Sequence, residues 1–189
     1  LAGSLSLQAS SLITNNSASA GSGGALAGGL ISVRSGSTIS VTSSHAATGG
    51  GAISATGLLV ADSNFTVAVT SAATGGALYF DNDLVVESGR LKVTEAQAIS
   101  SESGRSSGGI VTVRSGDIIF RSGSSGTLHD GTALNHGGCI FADDGTLLLD
   151  SSTLELSNCS SAGMGGGVKA EGVSVVGDAQ LSIANAVAA

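Results

Sequence analysis

The chain has 189 residues, of which 41% are hydrophobic but only 3% aromatic, with 30 glycines and no proline or tryptophan. Its net charge is −7 and its seven basic residues are scattered, which excludes the clustered positive charge of a typical nucleic-acid-binding protein. No apolar run approaches the ~18 residues of a membrane span, and because no signal segment opens the chain we expect a mature or excised piece. Since aromatic residues are scarce, we expect an interior filled with aliphatic side chains.

A Gly-Gly doublet recurs along the whole chain and defines a repeat. The doublets are Gly23-Gly24, Gly50-Gly51, Gly75-Gly76, Gly108-Gly109, Gly137-Gly138 and Gly165-Gly166, at spacings of 27, 25, 33, 29 and 28 residues. Residues 1–22 resemble a unit that lacks its beginning. We therefore predict one solenoid segment over 1–189, with a partial coil at 1–22 and coils starting near 23, 50, 75, 108, 137 and 165.

Each unit contains three short runs in which apolar residues alternate with other residues, the pattern of a strand with one buried face. The first run starts at Leu26, Ile53, Leu78, Val111, Ile140 and Val168. The second is Ile31/Val33, Leu58/Val60, Leu84/Val86, Ile118/Phe120, Leu147/Leu149 and Val173 with Val175 or Val176. The third is Ile39/Val41, Phe65/Val67, Leu91/Val93, Leu154/Leu156 and Leu181/Ile183, while the longer fourth unit offers only a delayed Leu128.

This periodicity predicts an all-β fold, a single-stranded parallel β-helix of about six to seven coils with three short strands each. An antiparallel sandwich also has many short strands, but it does not predict one period for the whole chain. Parallel crossovers strongly prefer one hand, so we expect right-handed winding. Like residues should then stack on like in successive coils.

Charged residues test this alignment independently. The aligned corners bring opposite charges onto adjacent coils: Asp81 and Asp83, then Arg114, then Asp143 and Asp144 at one corner, and Glu87, Arg121 and Asp150 at the next. Exposed pairs of this kind contribute only ~0.2–1 kcal/mol each, so they support the register more than they stabilise the fold.

Neither end of the predicted solenoid carries a polar cap. Leu5, Leu7 and Leu12 have the spacing of second and third strands, and Leu181 with Ile183 completes a last third strand. Uncapped ends expose strand edges and the ends of the apolar columns. We expect a segment of a longer solenoid, or one that docks end to end with protein partners.

The units "NNSASAGSGGAL" (15–26), "GGGAI" (49–53), "GGAL" (75–78) and "GGCIF" (137–141) resemble the polymorphic outer membrane protein repeat of bacterial autotransporter adhesins, which is similar to β-helix repeats in algal and protist surface proteins. The Phe-x-x-Asn element of that family is kept only as Asn16. The resemblance implies an extracellular passenger or stalk with adhesive or structural duty, and it brings no catalytic residues.

Parallel β-helices also host polysaccharide lyases and hydrolases, which need clustered carboxylates or carboxylates around Ca²⁺. Asp81 and Asp83, and Asp143 and Asp144, are the only acidic clusters, and we treat them as weak candidates for a cation site. His45, His129 and His136 fall in different coils without other metal ligands nearby, which favours surface histidines. We expect no cofactor and no catalytic residue.

Three further features need the structure. Cys139 and Cys159 fall in one coil and are either a disulfide or two thiols. Asn15, Asn64 and Asn158 begin N-x-[ST] sequons and are candidate glycosylation sites near corners. Tyr79 and Phe141 fall on the outer side of the first strand, where they are either exposed aromatics that provide lateral contacts or ordinary stacking between coils.

These patterns predict a non-enzymatic structural or adhesive β-solenoid segment of a secreted or cell-surface assembly. It would act through protein subunits or continuing chain at both ends and through lateral protein contacts. Glycans are further candidate partners, and we expect no nucleic acid and no membrane span in this segment. The alternative is a carbohydrate-binding or carbohydrate-cleaving β-helix.

Overall fold

A computed structural model describes residues 4–8, 10–99 and 107–189 of the chain. The described residues form an all-β solenoid of parallel strands stacked in about 7 turns, which confirms the predicted fold class. The strands are β1 (Leu5–Leu7), β2 (Ser11–Ala18), β3 (Leu26–Val33), β4 (Thr38–Ala46), β5 (Ile53–Ala61), β6 (Asn64–Ala72), β7 (Leu78–Phe80), β8 (Leu84–Glu87), β9 (Arg90–Ala98), β10 (Val111–Val113), β11 (Ile118–Arg121), β12 (Ser125–Ala133), β13 (Ile140–Ala142), β14 (Thr146–Asp150), β15 (Thr153–Ser157), β16 (Ser160–Ser161), β17 (Val168–Lys169), β18 (Gly172–Val176), β19 (Gln180–Ala184) and β20 (Val187–Ala188).

Two parallel sheets wrap the interior. The first and second strands of each coil belong to one sheet, and they run together as a single strand in β3 and β5. The third strands form the other sheet, in the order β19-β15-β12-β9-β6-β4-β2. Every pairing joins strands of successive coils, because each coil supplies the next layer of hydrogen-bond partners.

The predicted apolar columns are confirmed except at Leu12. Ile53 pairs with Leu26 on one side and Leu78 on the other, and Leu147 pairs with Ile118 and Val173. Val175, rather than Val176, continues the column of Leu149. Inside the solenoid these columns are almost fully buried, and each large aliphatic side chain contributes roughly 1.5–3 kcal/mol of burial free energy.

The Gly-Gly doublet meets two different steric demands. The first glycine of each doublet, such as Gly50, has a positive φ, which side-chain-bearing residues rarely adopt. The second has too little space, because a Cβ on Gly51 would strike the carbonyl oxygen of Gly76 in the next coil. Backbone bonds such as Gly51 N to Gly76 O (3.1 Å) hold the doublets in register.

The structure also contains a fourth short segment in each coil, which the three-strand prediction did not include. A residue with positive φ lies within β2, β4, β6, β9 and β12 and directly after β15 and β19, and the residues beyond it pair with their counterparts in the neighbouring coil. We call this set of bend residues the bend column; it comprises Asn15, Ser43, Val69, Glu95, Asp130, Asn158 and Asn185.

Two local predictions needed adjustment. Leu12 was placed among the inward positions, but it pairs with Ser40 and is exposed, while Ile13 takes the inward position. In the irregular fourth unit, Gly126 occupies the inward position two residues before Leu128 and pairs with Leu91. The ring of Phe120 fills the space there, since a Cβ on Gly126 would lie 2.6 Å from Cε1 of that ring.

Candidate functional site: an axial groove, a polar ladder and two open ends

The corner acids bond the neighbouring coils. Oδ1 of Asp83 accepts a hydrogen bond from the backbone N–H of Asp117 at 2.9 Å, and Oδ1 of Asp117 accepts two from Thr146, at 2.9 Å each. Asp81 lies 3.7 Å from Nη1 of Arg114, and Glu87 lies 3.2 Å from Nη2 of Arg121, so the predicted charge alternation is present. These carboxylates act as links between coils.

The weak cation candidates do not converge. Asp143 and Asp144 are exposed on their own corner, and among residues 4–8, 10–99 and 107–189 no three His, Cys, Asp or Glu side chains are grouped to hold a metal. Each histidine has a separate partner: His45 bonds Ser71 (2.8 Å), His129 contacts Asp130 (2.8 Å), and His136 accepts from the N–H of Met164 (3.1 Å).

A groove of about 1090 Å³ runs along the outer side of the first strands. Its lining includes Tyr79, Thr112, Arg114, His136 and Asp143, so aromatic, cationic and anionic groups share one concave surface. Tyr79 and Asp81 raise the pKa of Arg114 above its ordinary value, Tyr79 having the larger effect through charge and a hydrogen bond.

The two outer aromatics differ in their availability. Tyr79 is half-buried, and its ring covers Gly49, where an added Cβ would lie 3.0 Å from Cγ of the ring. Phe141 is only 9% exposed, because His136 stacks on it with centroids 6.2 Å apart and Nζ of Lys169 lies 5.5 Å from its centroid. The expectation of two exposed aromatics therefore fails for Phe141.

Cys139 and Cys159 are joined by a disulfide, with Cα atoms 5.3 Å apart. The bond crosses the interior beside the Gly-Gly corner, and both residues are fully buried. In the preceding coil the matching positions hold Ile110 and Gly131, and a Cβ on Gly131 would lie 2.8 Å from Cγ1 of Ile110. The two coils thus fill equivalent positions in the interior with different pairs of residues, Ile110 with Gly131 in one coil and the disulfide in the next.

The bend column contains a polar ladder that sequence reasoning missed. Nδ2 of Asn158 donates to Oδ1 of Asp130 at 3.0 Å, and Nδ2 of Asn185 donates to Oδ1 of Asn158 at 3.1 Å. Hydrogen bonds from His129 and then Asn158 lower the pKa of Asp130 below its ordinary value. The recurrence of Asn or Asp at residues 130, 158 and 185, about one coil apart, was the signal that could have revealed this ladder.

The three sequons fall in different environments. Asn15, Asn64 and Asn158 are all exposed, as expected for sites near corners. However, the Nδ2 atom of Asn158, the atom that would carry a glycan, is already a donor in the ladder. Asn64 begins β6 next to the corner residue Asp62 and lies outside the bend column.

Both ends expose inward-facing positions. At the last coil Val173, Val175 and Ile183 are 51%, 44% and 47% exposed, although they continue the columns of buried leucines. At the first coil Leu5 is 40% exposed, and Leu7 and Ile13 are half-buried. The open ends are therefore apolar surfaces bordered by strands that pair on one side only.

The chain matches no protein-family description, no curated protein and no solved structure. Within the described part of the chain, there is no helix of the length and hydropathy needed to cross a membrane.

Proposed function

We propose that this chain is a non-enzymatic structural segment of a secreted or cell-surface assembly, which acts by adding β-layers at its ends and by lateral contacts. The exposure of Val173, Val175 and Ile183 carries this proposal, because such inward columns are stable against water only when another layer covers them.

Two observations support an oxidising, extracellular location. The buried disulfide between Cys139 and Cys159 is of the kind that persists in secreted proteins and at cell surfaces. The resemblance of the Gly-Gly-Ala units to the repeat of autotransporter adhesins points to the same location. In a host with a secretory pathway, Asn64 is the sequon whose side chain is best placed to carry a glycan.

A cysteine-protection experiment tests the proposed function. Val175→Cys places a thiol in the exposed inward column, and Ser174→Cys places one on the outer side of the same strand. In the native assembly on the producing cells, maleimide should label Ser174→Cys and leave Val175→Cys unlabelled, whereas both should react in the dilute purified chain. Equal labelling of the two variants in the assembly would refute a covered end.

The groove favours a second function, the binding of an extended glycan. Tyr79 provides an aromatic surface, and Arg114 and Asp143 provide charged hydrogen-bonding groups beside it. Tyr79→Ala should abolish retardation of the chain in gels that contain acidic or neutral polysaccharides, while Val85→Ala, on a different strand, should not. Unchanged retardation in Tyr79→Ala, or none in the wild-type chain, would exclude this function.

A further inference from the structure

The second strands of four inner coils are apolar on both faces. Their uninterrupted apolar runs are residues 58–60, 84–86, 118–120 and 147–149. By contrast, the third strands place polar residues such as Lys92 and Glu155 on their outer side. Uninterrupted apolar runs are typical of parallel strands that are covered on both faces. We therefore expect another layer outside the second strands.

The outward residues of these runs form a column of their own. Successive coils pair them in parallel register, and we call this set the outer apolar column: Leu59, Val85, Ile119 and Leu148. All four are half-buried, although each lies in a coil that has a neighbour on both sides. Their exposure is therefore independent of where the chain begins and ends. A contiguous aliphatic patch of this kind is typical of an interaction surface.

The outer apolar column is symmetric about its midpoint. With the serines that continue it at both ends, the column reads Ser32, Leu59, Val85, Ile119, Leu148 and Ser174. A two-fold axis along the strands, between the coils of Val85 and Ile119, reverses this order in a second copy. Leucine then meets leucine, and each central β-branched residue meets the other. Such self-complementarity is what a two-fold contact between identical chains requires.

The charges on one side of the column follow the same symmetry. Glu87 and Arg121 occupy matching positions in the two central coils, and their side chains stay 39% and 47% exposed although they lie 3.2 Å apart. The axis that places Val85 on Ile119 of the second copy also places Glu87 beside Arg121 of that copy. Because the contact is symmetric, two pairs of opposite charge form between the copies, which favours a second copy as the covering layer.

The acids on the other side of the column oppose this contact but do not change its register. Asp83 would lie near Asp117 of the second copy, and both carboxylates already accept hydrogen bonds from their own solenoid at 2.9 Å. The like charges therefore lower the affinity. A shift by one coil would place Leu148 against Ser32, so the symmetric register keeps the larger apolar contact.

We propose that two copies of this chain pair side by side in antiparallel orientation, with Leu59 of one copy on Leu148 of the other and Glu87 beside Arg121. This inference rests on the proposed function, because it names a second copy as the partner in one of its lateral contacts. Since the outer apolar column spans only three coil spacings of ~4.8 Å, the contact is small and the pairing is weak. The twist of the sheets separates the two surfaces beyond the column, which leaves Ser174 outside the contact.

Directed cross-linking tests the contact. Sheets packed face to face lie ~10 Å apart, within the reach of a short bis-maleimide, and both natural cysteines are already bonded. A mixture of Leu59→Cys and Leu148→Cys chains should form a covalent heterodimer at least tenfold faster than either chain forms a homodimer, because the axis separates the two copies of each residue along the solenoid. Thr66→Cys with Glu155→Cys is the matched control, since these residues lie in the same two coils on the outer side of the other sheet.

Exchange of the two charges tests the orientation. Glu87→Arg places arginines against each other in a pair of identical copies, and Arg121→Glu does the same with glutamates, so sedimentation should show each variant associating at least tenfold more weakly than the wild-type chain. A mixture of the two variants restores both pairs of opposite charge and should associate like the wild-type chain. In a parallel pairing Glu87 would face Asp83 of the other copy, and Glu87→Arg alone would strengthen the association.

A charge in the column itself provides a third measurement. Val85→Lys should weaken the association at least tenfold, whereas Thr66→Lys, outside the third strands, should leave it unchanged. Monomers at every concentration, cross-links no faster than those of the Thr66→Cys and Glu155→Cys control, or no association in the mixture of charge variants would overturn antiparallel pairing. In that case protection of Val175→Cys in the native assembly would still support the proposed function, because that experiment reports only on the covered end.

Discussion

Leu149 and Val175 occupy the same position in successive coils, yet the first is fully buried and the second is 44% exposed. The coil around Leu149 has a neighbour on each side, whereas the last coil has one on one side only. In a solenoid, burial is therefore a property of the neighbouring coil as much as of the residue itself. The inner coils bury their apolar columns, whereas the last coil leaves its own partly exposed.

The largest effect is expected when a charged residue replaces a buried member of one column and, separately, a half-exposed member of the same column. Leu147→Asp buries a carboxylate without a partner and should cost about 4 kcal/mol or more of unfolding free energy. Val173→Asp, its direct neighbour in the column, should cost less than about 1 kcal/mol because Val173 is already half-exposed to water. Urea unfolding of the two variants measures the difference, and equal losses would contradict the assigned burial. Leu78→Asp, deep in the first strand column, should behave like Leu147→Asp.

The disulfide provides a second test of how inner and outer coils differ in stability, because it lies in the coil that precedes the last one. Replacing both Cys139 and Cys159 with alanine removes a cross-link between residues 20 apart in sequence, which should cost about 3 kcal/mol. Hydrogen exchange should rise first in β15 and β19, since these strands lose the cross-link nearest to them. The wild-type protein in reductant is the control, and an unchanged urea midpoint in both would contradict the expectation.

The bend column allows a smaller test of an inner coil. Val69 has a φ of 54°, a conformation that a β-branched residue tolerates poorly, and its side chain is 51% exposed. Val69→Asn should raise the unfolding free energy by about 1 kcal/mol, because asparagine adopts this conformation more readily. Val85→Asn, on the regular strand β8, should not stabilise the protein. Thermal melts decide between a gain and a loss at residue 69.

The smallest expected effect depends on pH. The pKa of Asp130 is lowered by His129 and Asn158, so its ionised form contributes stability above its ordinary value of 3.8, and this contribution disappears as the pH falls through the lower pKa of the folded state. Asp130→Asn should therefore slightly lower the melting temperature at pH 7 and have a decreasing effect below pH 3.8. Asp143→Asn, at an exposed corner, should change the melting temperature at neither pH.

The fold could be predicted from the sequence because each coil repeats the same glycine doublet and the same alternation of apolar residues. The doublet represented by Gly50 and Gly51 recurs because the first glycine adopts a left-handed backbone conformation and the second has no space for a Cβ against the adjacent coil. The candidate site was less readable. Phe141 alternates outward along its strand, but its exposure depends on the ring of His136 and on Lys169 of the next coil, and the alternation along one strand does not show either contact.

The sequence by itself determined the period, the strand register and the identity of the buried columns, because alternation and repetition are local properties that every coil must satisfy. Only the tertiary structure decided that Cys139 reaches Cys159, that Asn158 bonds Asp130, and that the groove gathers Tyr79 with Arg114. Those relationships depend on the bend in each coil and on the order in which coils stack. They are set by packing across the solenoid, where residues that are many positions apart in the sequence come into contact.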